Sequence, residues 1–210
     1  MAGAKPTSTL LCTTTPLKLL DRSALANAKM FRAIIGALQY LTLTRPDLSF
    51  SINKLSQFMH QPTQIHFQQL KRILRYIKLT FNFGLQLKKP PHLHLHAFSD
   101  ADWGSNLDDM TSTSAFVIYF GGNPVSCLSK IQKIVARSST KAEYRSVANT
   151  SAEVMWLCTY LGNLLVQLGK IRVSHISTKD QLADILTKPL SRARFVPLRV
   201  KLVVTDGEPS

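Results

Sequence analysis

Ala97-Phe98-Ser99-Asp100-Ala101-Asp102-Trp103-Gly104 is the stretch on which the fold turns. Leu93-His94-Leu95-His96 leads into two carboxylates at i and i+2, and Trp and Gly close the run. On a β-strand that spacing sets Asp100 and Asp102 on one face. Two acids on one strand face repel each other unless a cation or partner compensates, which points to a metal site. The same residues also read as a strand ending in a turn at Asp102, with Asp108 and Asp109 in a solvated loop behind it.

Working outward, the 210 residues make one medium domain or two small ones. With 45% hydrophobic and 18% charged residues the chain is globular rather than disordered. There are 26 Lys and Arg against 12 Asp and Glu, a net charge of +14. That imbalance calls for a polyanionic partner, most economically nucleic acid. Cys12, Cys127 and Cys158 lie far apart without CxxC spacing, so they read as small buried hydrophobes in a reducing intracellular compartment. No apolar run approaches a bilayer span, so no membrane partner is expected, and nothing calls for a small-molecule substrate.

Residues 1–22 are rich in Thr, Ser and Lys, and their first acid is Asp21. An acid-poor, hydroxyl-rich start resembles a transit peptide in composition, but Pro6 and Pro16 break any amphipathic helix and favour an extended linker. A helical region follows over 23–89. Its first helix, Ala26 to Leu43, carries Phe31, Ile34, Ile35, Leu38 and Leu41 on one stripe. Thr44-Arg45-Pro46-Asp47 restarts the chain as a hydroxyl cap, an early proline and an acid. Leu48, Ile52, Leu55 and Met59 then trace a second helix. The third begins near Thr63 with Leu70, Ile73, Leu74 and Ile77 inward. Lys71, Arg72, Arg75 and Lys78 on its other side form either a solvated face or a phosphate-contacting ridge. After a short strand at Leu85 to Lys88, Lys89-Pro90-Pro91 marks the domain boundary.

Beyond it the period changes to two. Strands are predicted at Leu93 to Asp102, at Ser114 to Phe120, and at Pro124 to Leu128 with Ile134 to Ala136, joined by a Gly121-Gly122-Asn123 turn. A long helix from Ser138 buries Val147, Ser151, Val154, Met155, Cys158, Leu161 and Leu165. Lys170 to Ile176 reads as a last strand and Leu182 to Lys188 as a short helix stopped by Pro189. The order β-β-β-α-β-α makes residues 92–195 an α/β domain with a mixed sheet, leaving 196–210 as a tail. Glu143 fits a capping box with Thr140 or, on the helix's first turn, faces the acids of the first strand. Asp184 at a helix start suits the helix dipole, and His175 is either structural or catalytic.

Three blocks tip these alternatives: residues 44–49, 57–63 and 70–76 resemble the segment that follows the polymerase palm in Pol polyproteins of copia-type LTR retrotransposons. Phe98 to Gly104, Ala136 to Arg145 and Asp180 to Leu190 resemble the ribonuclease H domain that ends those polyproteins. Lys5 to Thr9 resembles the family's linker. The resemblance implies a ribonuclease H fold, a five-stranded mixed sheet in which four carboxylates hold two Mg²⁺ ions that cut the RNA strand of an RNA–DNA hybrid. One ion activates water and the other stabilises the leaving oxygen, so hard oxygen ligands must converge. It implies catalytic and metal-binding roles for Asp100, Glu143 and Asp184, and a product-release role for His175. Lys71, Arg72, Arg75 and Lys78 remain the nucleic-acid-binding candidates.

The family's third carboxylate has no counterpart. The long helix runs through Leu161 to Leu165 almost directly into Val166 to Val173, as though the strand and helix between them were deleted near Leu165 and Val166. Losing one ligand of a two-metal site implies a large loss of activity. The last strand loses its neighbour and must pair with the first strand or lie open, and Asp184 is expected to leave bridging distance of Asp100 and Glu143. The resulting expectation is a Pol polyprotein remnant with an impaired ribonuclease H domain, the alternative being a non-catalytic basic fragment that binds nucleic acid.

Overall fold

The computed structural model of the chain describes residues 3–89, 92–162 and 174–206. The first helix, α1 (Ala28–Leu41), is capped by Asn27, whose side-chain oxygen accepts the Met30 N–H at 3.0 Å. Its inward residues Phe31, Ile35 and Leu38 follow the helical period. A 3₁₀ turn over Pro46–Leu48 leads into α2 (Ser49–Ser56), and α3 (Gln64–Leu79) buries Leu70, Ile73 and Tyr76. Asp47, the acid of the expected helix start, lies in this turn and is buried. Its carboxylate is completely buried against Arg45, which donates to both oxygens at 3.0 and 2.9 Å, while Tyr76 Oη donates at 2.7 Å. A buried ion pair survives only when its remaining donors are satisfied, and Arg45 does this by donating to the Thr80 carbonyl and hydroxyl, each at 2.9 Å.

The strand period beyond the prolines produces a three-stranded antiparallel sheet. It comprises β2 (Leu95–Asp102), β3 (Thr113–Phe120) and β4 (Asn123–Ile131), in the order β2-β3-β4. Asp100 pairs with Ala115 and Asp102 with Thr113. The third strand is one continuous run to Ile131, not two pieces reaching Ala136. Gln132 ends it, donating its side-chain amide to Ser114 Oγ at 2.7 Å and to the Ala142 carbonyl at 2.9 Å. A separate pair joins β1 (Phe83–Leu85) to β5 (Val204–Asp206) in antiparallel register.

Helix α4 (Ser139–Gly162) covers one face of the sheet. Its buried stripe is Ala142, Ser146, Thr150 and Val154, a step round from the expected one, and Met155 is exposed. The cause is close approach: small side chains let Ser146 Oγ donate to the Asp100 carbonyl at 2.7 Å, which bulkier residues would prevent.

The other face lies over the apolar core. One cluster unites Leu10, Leu11 and Leu17 with α1 to α3, Val117 and Tyr119 of β3, Leu186 and Val204. Residues 3–22 are therefore extended but packed, and residues 196–206 are not a free tail. Leu198 lies in α5 (Arg192–Lys201), and Leu202 and Val204 follow it into the core, because the β1–β5 pair needs that strand. Of the expected last strand, residues 170–173 lie outside the described ones and Ser174 to Ile176 are not strand. Leu165 and Val166, the inferred junction, also lie outside them. Among the described residues no strand flanks the outer edge of β2, where Gln181 Nε2 donates to the Ser99 carbonyl at 2.8 Å.

Candidate functional site

The acids gather where β2 meets a 3₁₀ turn at Leu182–Leu186. Asp100 is buried on β2, and its Oδ2 accepts the Thr187 hydroxyl at 2.5 Å. Asp184 is 1% exposed. The ammonium of Lys188, one helical turn on, lies 2.7 Å from Asp184 Oδ1 and 3.9 Å from Asp100 Oδ2. Arg194 pairs with the second oxygen of Asp184 and also donates to the Thr178 carbonyl at 2.6 Å. Asp184 and Asp100 thus share one ammonium, and the helix-dipole reading of Asp184 gives way to two ion pairs in which its carboxylate is buried and the cations are part-exposed.

Glu143 is half-buried at the start of α4. Ser138, not Thr140, caps that helix, its hydroxyl accepting the Lys141 N–H at 3.3 Å, so the capping-box alternative falls away. The Ala101 backbone N–H favours the charged form of the Glu143 carboxylate instead. Burial, and then the Asp100 charge, hold its carboxyl above the ordinary carboxylate range; the Ala101 N–H and Lys188 oppose this. Asp102 is raised by burial too, against the pull of Lys188. It faces a cavity of about 190 Å³ lined by Lys54, Gln69 and Cys12 among others. Asp108 and Asp109 are engaged rather than merely solvated, since Asp108 accepts the Leu19 N–H at 3.0 Å and Asp109 accepts the Thr111 hydroxyl at 2.6 Å.

His175 is exposed, outside any strand, and makes no contact with the acids among the described residues. The basic ridge of α3 is partly spent inside the chain. Arg72 donates to Thr9 Oγ1 at 2.6 Å and Arg75 to the Lys5 carbonyl at 2.5 Å, while the Lys71 ammonium stands 5.1 Å above the Phe67 ring. Lys78 lies on the same helix, exposed. The cysteines are half-buried rather than buried. Hydrogen bonds from Thr14 and Thr15 lower the Cys12 thiol to about 7, and burial pushes Cys127 up to about 12.

The sequence reading missed the cations. Lys188 and Arg194 were overlooked although Asp184 and Lys188 sit at i and i+4, a spacing that brings opposite charges together on a helix face. Their presence decides whether the acids suit a divalent ion. Both oxygens of Asp184 are already neutralised, one oxygen of Asp100 holds a hydroxyl, and no three acid, thiol or imidazole groups converge on one point among the described residues. This donor set, as arranged, accommodates an ammonium and a guanidinium and does not fit the two-metal centre.

A three-stranded antiparallel sheet with a long helix over one face, and acids from its first strand and a later turn meeting at its edge, defines an α/β protein compatible with a ribonuclease H-like fold. No protein-family model matches the chain, and no solved structure matches it. Over its whole length it is 44% identical to the retrovirus-related Pol polyprotein from transposon RE1 of Arabidopsis thaliana, and 43% identical to that from transposon RE2. An uncharacterized mitochondrial protein of the same plant is 46% identical over 74% of this chain and 65% of its own length. The chain belongs to the retrovirus-related Pol polyproteins of copia-type transposons. It spans 17% of the length of the RE1 and RE2 polyproteins. Each of these two alignments extends over 252 residues for a chain of 210, so 42 positions of the relative have no counterpart here. No helix among the described residues is long and apolar enough to cross a membrane.

Proposed function

We propose that this chain is a retrotransposon remnant: a reverse-transcriptase tail fused to a shortened ribonuclease H-like domain that no longer cleaves RNA–DNA hybrids efficiently. The observation that carries this reading is Asp184 held between Lys188 and Arg194, since a carboxylate neutralised twice has little left to offer a metal. The 42 missing positions support it from the other side, because they give room for the absent strand, helix and third carboxylate. In this reading β2, β3 and β4 are the family's first three strands and α4 its long helix, Asp100, Glu143 and Asp184 are inherited metal ligands, and His175 is the inherited histidine. The Mg²⁺ they once held is not retained. In the same proposal Pro90-Pro91 marks where the two inherited segments meet in the sequence.

A second reading, a basic fragment that binds nucleic acid without cutting it, is favoured by the net charge of +14. Purified chain incubated with a labelled RNA–DNA hybrid and Mg²⁺ tests both. The expected result is salt-sensitive binding without cleavage above that of the Asp100→Asn variant. Cleavage that Asp100→Asn abolishes would overturn the impaired-enzyme reading.

A further inference from the structure

The lead-in to β2 carries a second cluster that the acid site does not use. His92, His94 and His96 stand at every other position, so an extended backbone sets all three on one face. All three are exposed, and their rings touch in sequence, centroid to centroid 5.8 Å for His92 and His94 and 6.1 Å for His94 and His96. The backbone beneath His94 and His96 is fixed. Gly121 N donates to the His94 carbonyl at 2.9 Å, and His96 lies opposite Tyr119 in the ladder. No ring nitrogen of the three has a hydrogen-bond partner among the described residues, so their lone pairs are available.

We infer that this row is a two-imidazole chelating site for a borderline divalent transition ion such as Ni²⁺ or Zn²⁺, with His94 its shared ligand. Neutral imidazole suits these ions, whereas Mg²⁺ takes oxygen ligands. Two imidazoles bound at about 2.0–2.1 Å to one ion place their ring centres roughly 5 Å apart. The observed spacings exceed this by an amount that small side-chain rotations remove, and exposure leaves the rings room to turn. Since no three ligating groups converge among the described residues, one ion takes His94 with either neighbour, and water fills the remaining positions. Without a second layer of hydrogen bonds to orient the rings, the site binds about 10–100-fold more weakly than a supported one. His96 and Asp100 are four strand residues apart, about 13 Å. The site is therefore independent of the acids and of the function proposed above.

Calorimetric titration of the full chain with Ni²⁺, repeated with Zn²⁺, tests this. One ion per chain is expected, with His94→Ala weakening binding at least about tenfold because only the shared ligand serves both pairs. Single His92→Ala and His96→Ala variants each leave one pair intact and lose less. All three side chains are exposed, so the variants fold. Asp100→Asn and Cys12→Ser must leave the affinity unchanged. Absence of binding, binding that survives His94→Ala, or binding lost in Cys12→Ser would overturn the inference.

Discussion

At the level of single residues, the acid cluster is governed by Lys188. Among the described residues its ammonium is the one cation that touches both Asp100 and Asp184, and Arg194 reaches only the second. Removing it leaves buried Asp100 without that cation and Asp184 with Arg194 alone, and stranding a buried charge costs more than forming the pair contributed. Lys188→Met should therefore lower stability by roughly 1–3 kcal/mol, read from urea titration, with Arg194 limiting the loss. Millimolar Mg²⁺ should leave the melting temperature of the parent chain unchanged; a rise that disappears in Asp100→Asn would mean that the acids do take a divalent ion. Glu143 gives a second test, with an opposite sign. Burial first, and then Asp100, raise its carboxyl in the folded state above its unfolded value, so ionisation favours unfolding. The penalty is absent below the unfolded pKa, grows as pH rises through the ordinary carboxylate range, and is complete above the raised folded value. Glu143→Gln removes that dependence. Its stability curve should fall less than the parent's across this window and lie at or above the parent's at neutral pH.

At the level of elements, α3 and the N-terminal segment form one unit that composition disguised. Residues 1–22 read as an unpacked linker because they lack any period, yet period is informative only for regular structure. Leu10, Leu11 and Leu17 are buried by an extended chain, and nothing local marks which Leu of such a segment finds a core. The same blindness turned a self-engaged ridge into a free basic face, since Arg72 and Arg75 are held by partners more than 60 residues away. By contrast α1, α2, α3 and the three strands were legible, because their burial follows periods of 3.6 and 2. The α4 stripe was displaced by one step because the close contact with β2 rewards small residues over large ones. In the acid site, Asp100, Glu143 and Asp184 were found by motif, whereas Lys188 and Arg194 needed tertiary contact to matter. The Arg72→Ala, Arg75→Ala double variant should release the segment around Lys5 to Thr9. Limited trypsin digestion should then cut after Lys18 earlier than in the parent, with a stability loss of about 1–2 kcal/mol for two bonds. An unchanged digestion pattern would mean that the leucines alone hold the segment.

For the molecule as a whole, the question is whether the proline pair divides two folding units. The core says otherwise in physical terms. Phe31 and Ile35 from α1, Val117 and Tyr119 from β3, and Leu202 and Val204 from the C-terminal end belong to one continuous apolar cluster. Tyr76 of α3 adds polar ties across it: its hydroxyl donates to Asp47 and accepts from Arg199 of α5 at 3.2 Å. Elements that share buried contacts lose them together, so unfolding either half exposes the other's apolar face, and a shared core implies one cooperative step. Trp103 supplies the reporter, its indole N–H donating to the Ala136 carbonyl at 2.8 Å, far along the chain from α1. Phe31→Ala opens a cavity on the helical side at a cost of about 3–5 kcal/mol. If the core is shared, the Trp103 fluorescence transition in urea shifts to lower denaturant together with far-ultraviolet circular dichroism. To keep the reading clean, Trp156 is replaced by Phe in both chains, since it is exposed and stacked on Tyr160. A Trp103 transition that stays in place while the helical signal moves would show that the two sides fold independently.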